Sequence, residues 1–257
     1  MMLPIRTRRC LLLLFSLSFI TGLQAQTAQP AESKEEVHQM NYFKVNVTAL
    51  VLKNYSLTYE RVLSKPVSFV VSYRFMPTPG LPFANNVADA IGSNDPDAQK
   101  AVKSVQMSNY AITPELRFYL GKGYGKGFYI SAFYRYASFK ADRVSVAYNS
   151  LNSLDLSGML TANTGGLLFG AQWPLGKHFS IDWWIVGAHY GSGKGNFSGV
   201  ASRPLNVLEQ DQLRQNLENI DIPLTTKTVA VNANGATVKL DGPWGGLRSG
   251  VLLGIKF

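Results

Sequence analysis

Cysteine is almost missing from this chain: its 257 residues include one, Cys10. That excludes a disulfide framework and any cysteine-built metal centre within the chain. Histidine is scarce as well, and His38, His178 and His189 stand at no metal-ligand spacing. Charged residues reach only 16%, against about a quarter in an ordinary globular domain. An α/β enzyme with a conventional wet surface would carry more. No apolar run after the first 25 residues approaches the roughly 18–20 residues of a membrane-spanning helix. What is plentiful is aromatic and glycine: 12% aromatic, with 23 glycines in a chain that is 46% apolar. That mix excludes a disordered chain, a coiled coil and a collagen.

Residues 1–25 read as a secretory signal peptide. Arg6, Arg8 and Arg9 form the basic segment, Leu11–Ile20 the apolar one, and Ala25 offers a small residue for cleavage. Cys10 precedes the apolar segment, so it is no lipoprotein acceptor, and the exported chain is expected to be free of cysteine. Removing three arginines and no acid leaves 22 Lys+Arg against 16 Asp+Glu, a net charge of +6. Residues 26–40 are polar and read as a flexible periplasmic tail. The remainder, 41–257, is expected to form one domain.

That domain is dominated by two-residue alternation. It runs through 43–52, 56–61, 68–75, 112–120, 130–137, 166–173, 181–186 and 250–257. Strand side chains point alternately to opposite faces, so each run has one apolar and one mixed face. Eight strands are expected. Their connections are short at Leu63–Pro66, Gly121–Gly127 and Pro174–His178, and between these long at 77–107, 140–157 and 192–246, with Lys53–Tyr55 a short exception on the long side. Short turns on one side and long loops on the other, with charges on the inward face, are the pattern of an antiparallel up-and-down transmembrane β-barrel. Within the longest loop, 204–220 reads as an amphipathic helix lidding the barrel mouth. Thr228–Val231 and Thr237–Leu240 flank Asn234-Gly235 as a hairpin, either a strand extension above the bilayer or a ninth and tenth barrel strand.

The inward face collects Lys44, Glu60, Arg74, Glu115, Arg117, Arg135, Asp182, Arg248 and Lys256. An eight-stranded barrel is just wide enough for side chains to fill it, so these charges are expected to pair as a plug. Six cations against three acids leave an excess that water or an anion must balance. Trp173, Trp183, Trp184 and Trp244 read as interfacial anchors, and Phe257 as a terminal aromatic serving as assembly signal. His189 and Ser192 evoke a lipid-modifying hydrolase, but a spacing of three puts them on opposite faces of a strand, and no acid is placed to orient the histidine. Gly191-Ser192-Gly193-Lys194-Gly195 lacks the offsets of a phosphate loop and reads as the start of a flexible loop. No catalytic, metal or cofactor residue is assigned.

The segments "LTYERVLSKPVSFVVSYRF", "ITPELRFYLGKGYGKGFYISAFYRY", "GAQWPLGKHFSIDWWIVGAHYG" and the final "GVLLGIKF" resemble the family called domain of unknown function 3575, over roughly residues 41–257. Tyr59-Glu60-Arg61, Pro114-Glu115-Leu116-Arg117 and Trp173 before Leu175-Gly176-Lys177 carry most of the resemblance. It implies a small barrel in the outer membrane of a Gram-negative bacterium, with no established activity. The expected role is structural or surface-interacting rather than enzymatic, with a narrow pore or an envelope lipid-modifying enzyme as alternatives. The expected partners are outer-membrane lipid and, during biogenesis, the barrel assembly machinery. No nucleic acid is expected, and the external ligand is unknown.

Overall fold

The computed structural model describes residues 40–77, 106–121, 123–149, 152–220 and 224–257. The leader, the tail as far as residue 39 and most of the 77–107 connection lie outside the described residues. The elements run β1 (Asn41–Asn46), α1 (Val47–Val51), β2 (Tyr55–Val62), β3 (Val67–Met76), β4 (Gln106–Tyr119), β5 (Gly127–Ala147), β6 (Ser153–Leu175), β7 (Phe179–Val200), α2 (Val207–Asn219), β8 (Thr226–Asn232) and β9 (Gly235–Lys256). Strands β1 to β7 and β9 pair antiparallel with their chain neighbours, and β9 returns to β1. The ring closes at its last residue: Asn41 and Phe257 exchange both backbone hydrogen bonds at 3.0 Å. The fold is therefore an all-β, eight-stranded up-and-down barrel.

Alternation decides the two faces as elementary geometry requires. On β2 the burial reads exposed, buried, exposed, buried throughout, with Ser56, Thr58, Glu60 and Val62 inside. Leu57 and Tyr59 stand outside. One alternating run does not survive as a strand. Residues 47–51, expected to continue β1, form the short helix α1. The Oδ1 of Asn46 accepts from the Ala49 N–H (3.0 Å) and from the Thr48 hydroxyl (2.7 Å), and this side-chain cap competes successfully with the ladder.

The wall is lopsided. Strands β1, β2 and β3 have 6, 8 and 10 residues, whereas β5, β6, β7 and β9 have 21 to 23. Most of what reads in sequence as loop at 140–157 and 192–246 is thus strand continuing above the rest of the barrel. The Gly191–Gly195 run is likewise β7 rather than a flexible loop. Its small residues weaken the sequence signal, but they suit a crowded interior: a Cβ on Gly193 would meet the Cβ of Trp244 at 3.3 Å and its ring at 3.4 Å. The hairpin also resolves. β8 pairs only with Gly235–Asp241 of β9, an extension above the ring and not an extra stave. Its two-residue turn is Ala233-Asn234, one position earlier than expected, because Asn232 pairs with Gly235.

This long wall has its own dry core. Leu154, Leu156, Ala236 and Val238 continue the inward face of β6 and β9, and Leu205, Leu213 and Leu217 pack on them. The helix α2 starts with a full capping box. Asn206 Oδ1 accepts from Glu209 N (2.9 Å), and the Glu209 carboxylate accepts from Asn206 N (3.1 Å). It caps the far end of the wall instead of lidding the mouth over the cavity described below. Arg203 grips both Glu209 oxygens, at 2.9 and 2.5 Å. The Arg203 guanidinium, seconded by the Asn206 N–H, holds the Glu209 carboxyl down at about 2. A depressed acid stabilises the fold above its unfolded value of about 4.3 and loses that contribution as pH falls toward the folded one. The carboxyl carbon shift of Glu209 should titrate near 2, with α2 loosening over the same window between pH 4.5 and 2. In Arg203→Ala the midpoint should return toward 4.3.

Candidate functional site in the barrel interior

The interior divides into a sealed lower half, at the short-turn end, and an open upper half. In the lower half, Lys44 of β1, Glu60 of β2, Glu115 and Arg117 of β4, and Asp182 of β7 meet at one level, each essentially fully buried. The Lys44 ammonium donates to Glu60, to Gln172 and, at 2.8 Å, to Asp182. Arg117 donates to Glu115 through Nε (2.7 Å) and to Asp182 through Nη1 (2.7 Å), while its guanidinium lies 4.3 Å from the centre of the Tyr129 ring. Tyr119 donates to Glu60 (2.6 Å) and Tyr129 to Asp182 (2.7 Å). Arg248 of β9 completes Glu115 at 2.6 Å. Each carboxylate thus has at least two charged or hydroxyl donors, which is what makes burial of so much charge tolerable.

A floor lies beneath. The β4–β5 turn folds across the short-turn end: Tyr124 N donates to Lys65 O of the β2–β3 turn (2.7 Å), and Gly125 O accepts from Gln172 (2.9 Å). Gly125 has φ +72°, and a Cβ there would press on the Tyr42 ring at 3.0 Å, so this position needs glycine.

Three expected lumen charges stand apart from this cluster. Arg74 and Arg135 line the upper half and make no ion pair among the described residues. Arg135 reaches only the Thr113 hydroxyl, at 3.4 Å. Lys256 sits half-buried near the bottom, also without an ion pair. Of the expected anchors, Trp173 and Trp183 face outward, 38% and 46% exposed. Trp184 does not. It is buried inside, beneath the Arg248 guanidinium at 3.9 Å, because it lies two residues after Asp182 and so shares its face. Trp244 also turns inward, packing 5.2 Å from Phe139. Phe257 is exposed at the closing seam.

A one-residue bulge in β7 governs the rest. Trp184 pairs with Gly250 but Gly187 with Arg248, so the parity flips at Ile185. His189 consequently points into the upper half, edge-on to Phe133 at 6.2 Å, while Ser192 is exposed. The two do not meet. Sequence reasoning confined to charges passed over Gln172, Tyr119 and Tyr129, although all three lie on the inward parity of their strands.

Replacing Lys44 with Met should leave Glu60 and Asp182 sharing Arg117 alone and cost about 3–5 kcal/mol, read as a lowered unfolding midpoint in denaturant. Adding Glu60→Gln to Lys44→Met should recover part of that loss.

The sequence was also compared with known proteins. No curated protein and no solved structure matches it. A sequence model of the family described as "Protein of unknown function (DUF3575)" matches residues 12–196, well over half of the chain and including Glu60, Glu115, Arg117 and Asp182. The chain belongs to that family.

Proposed function

We propose that this protein is an exported integral barrel of a Gram-negative outer membrane, with a structural or surface-interaction role and a plugged lumen. The observation that carries the reading is an inversion. A closed ring with charged residues inside presents Phe43, Leu57, Phe69, Ile112, Phe118 and Ile130 outside, each 38–45% exposed, and continues with Leu167, Leu253 and Ile255. A soluble barrel buries its apolar face, and a monomer rarely exposes a contiguous apolar patch beyond a few hundred Å². Lipid accommodates such a belt, and a ring with paired strands satisfies the backbone within it. Tyr59, Tyr73, Trp173 and Trp183 are suited to the interfaces.

On this reading residues 1–25 are removed on export, 26–40 lie in the periplasm, and the short turns face the same side. Four strands of 21–23 residues exceed by about twofold the roughly 9–11 residues that cross a bilayer, so the long wall and α2 stand above the outer surface. Phe257 would be read by the assembly machinery. The saturated charge cluster and the turn beneath it favour a plug over a pore. The separation of His189 from Ser192 leaves the hydrolase reading without a nucleophile–base pair.

The protein should fractionate with the outer membrane and shift its gel mobility on heating. The chain without its leader lacks cysteine, so single substitutions report topology. Leu208→Cys in α2 should be labelled on intact cells by an impermeant maleimide, and Lys177→Cys in the β6–β7 turn only after permeabilisation. Recovery in the soluble periplasm without a heat shift would sink this reading, and a steady open conductance in planar bilayers would sink the plug.

A further inference from the structure

Above the plug lies a cavity of about 680 Å³, within the range of roughly 300–1,000 Å³ typical of sites for small organic ligands. Its charge is unbalanced. Apart from Lys256 at the bottom rim, far from this cavity's lining, the lumen holds five buried or half-buried cations, Lys44, Arg74, Arg117, Arg135 and Arg248, against three carboxylates, Glu60, Glu115 and Asp182. The ion pairs of the plug use all three acids. Arg74 and Arg135 are the surplus, and both line the cavity. Arg248 and His189 line it as well. Donors are left over too: Arg74 Nε and Trp184 Nε1 are buried without a partner. Like charges gathered in one cavity repel, and an anion arriving there would relieve that repulsion and take up the orphan donors.

The cavity also breaches the wall. On the edge of β9 that faces β1 and β8, β1 pairs no higher than Leu252 and β8 no lower than Asp241. From Gly242 to Val251 no strand among the described residues covers that edge. At its lower end stands α1, whose Thr48 hydroxyl accepts from Val251 N at 3.3 Å. The lining accordingly includes both faces of β9, Arg248 and Gly250 within, Leu247 and Val251 without. Around the slot Leu50, Val51, Leu52 and Leu247 expose 43%, 69%, 47% and 82% of their surface, an apolar margin for a hydrocarbon chain. The plug, in contrast, closes the route from below.

We propose that this cavity binds an amphiphile with a doubly charged phosphate-monoester head, the head held by Arg74, Arg135 and Arg248 and the tail leaving between α1 and β9. The slot's lateral access to lipid rests on the membrane reading above, but the head site does not. Two surplus guanidiniums match a dianion, and the planar forks of arginine suit phosphate oxygens. The aromatic pair Phe139–Trp244 forms an apolar wall on the approach to the head.

The test is calorimetric titration of the purified full-length mature chain, folded in a non-ionic detergent, with decyl phosphate, inorganic phosphate, decanoate and decanol at matched detergent. Decyl phosphate should bind tightest, with each of the other three at least tenfold weaker. Arg74→Gln and Arg135→Gln should each weaken decyl phosphate by roughly ten- to a hundredfold, the loss of one charge-assisted contact. Both variants should keep the heat-dependent gel shift, which separates lost binding from lost folding. Lys65→Gln, in the β2–β3 turn, should bind as the unaltered chain does. Undetectable decyl phosphate binding overturns the proposal, as does binding insensitive to both arginine variants. Equal affinity for inorganic phosphate would make the site one for a free anion, and tighter decanoate would refute the dianion; either result overturns it. Since the titration uses isolated protein, its failure is separate from a failure to fractionate with membrane.

Discussion

Everything inside this barrel depends on closing β1 against β9. That pairing sets Lys44 opposite Gly254 and brings its ammonium, from the first strand, within 2.8 Å of Asp182 on the seventh. Without closure Glu60 and Asp182 would share one guanidinium across an open edge. With it, three carboxylates and three cations from five strands share a dry centre, and Tyr119 and Tyr129 satisfy the remaining lone pairs. The mutual dependence is steep, since a buried charge stripped of its partner is far costlier than a surface one. Glycine opposite lysine is part of the same solution: a Cβ at Gly254 would lie 2.6 Å from Lys44 Cγ.

The molecule solves its packing twice. The lower ring is filled by a polar, hydrogen-bonded network, whereas the upper wall is filled by leucine and valine under α2. Between the two lies a cavity whose arginines Arg74 and Arg135 have no acid partner among the described residues, and the unpartnered Arg74 Nε and Trp184 Nε1 sit there. The bulge at Ile185 is what delivers His189 to that region, and the short β1 is what leaves β9 without a partner beside it.

Much of this was legible in the chain. Alternation alone predicts eight strands, their order, and the inward placement of Lys44, Glu60, Glu115, Arg117, Asp182 and Arg248, because period two leaves a strand residue no third direction. Less legible were the ends of the strands. Val47–Val51 alternate as well as Phe43 and Val45 do, yet Asn46 caps a helix there. The glycine- and serine-rich segment after Tyr190 hardly alternates in hydrophobicity, yet it pairs with β6 for eight further residues and with β9 for ten. Trp184 was misread by residue type, although its spacing from Asp182 already placed it inside.

By itself, then, the sequence determined the fold class, the two faces of most strands and the family. Those follow from local rules: side-chain period, composition and motif. Tertiary structure alone decided which charges meet, which two interior arginines are left without acids among the described residues, where one extra residue reverses a strand's faces, and where the wall stays unpaired. Those are properties of register and closure. They depend on residues up to 216 positions apart, such as Asn41 and Phe257, and no local pattern in the chain encodes which of them will come to lie side by side.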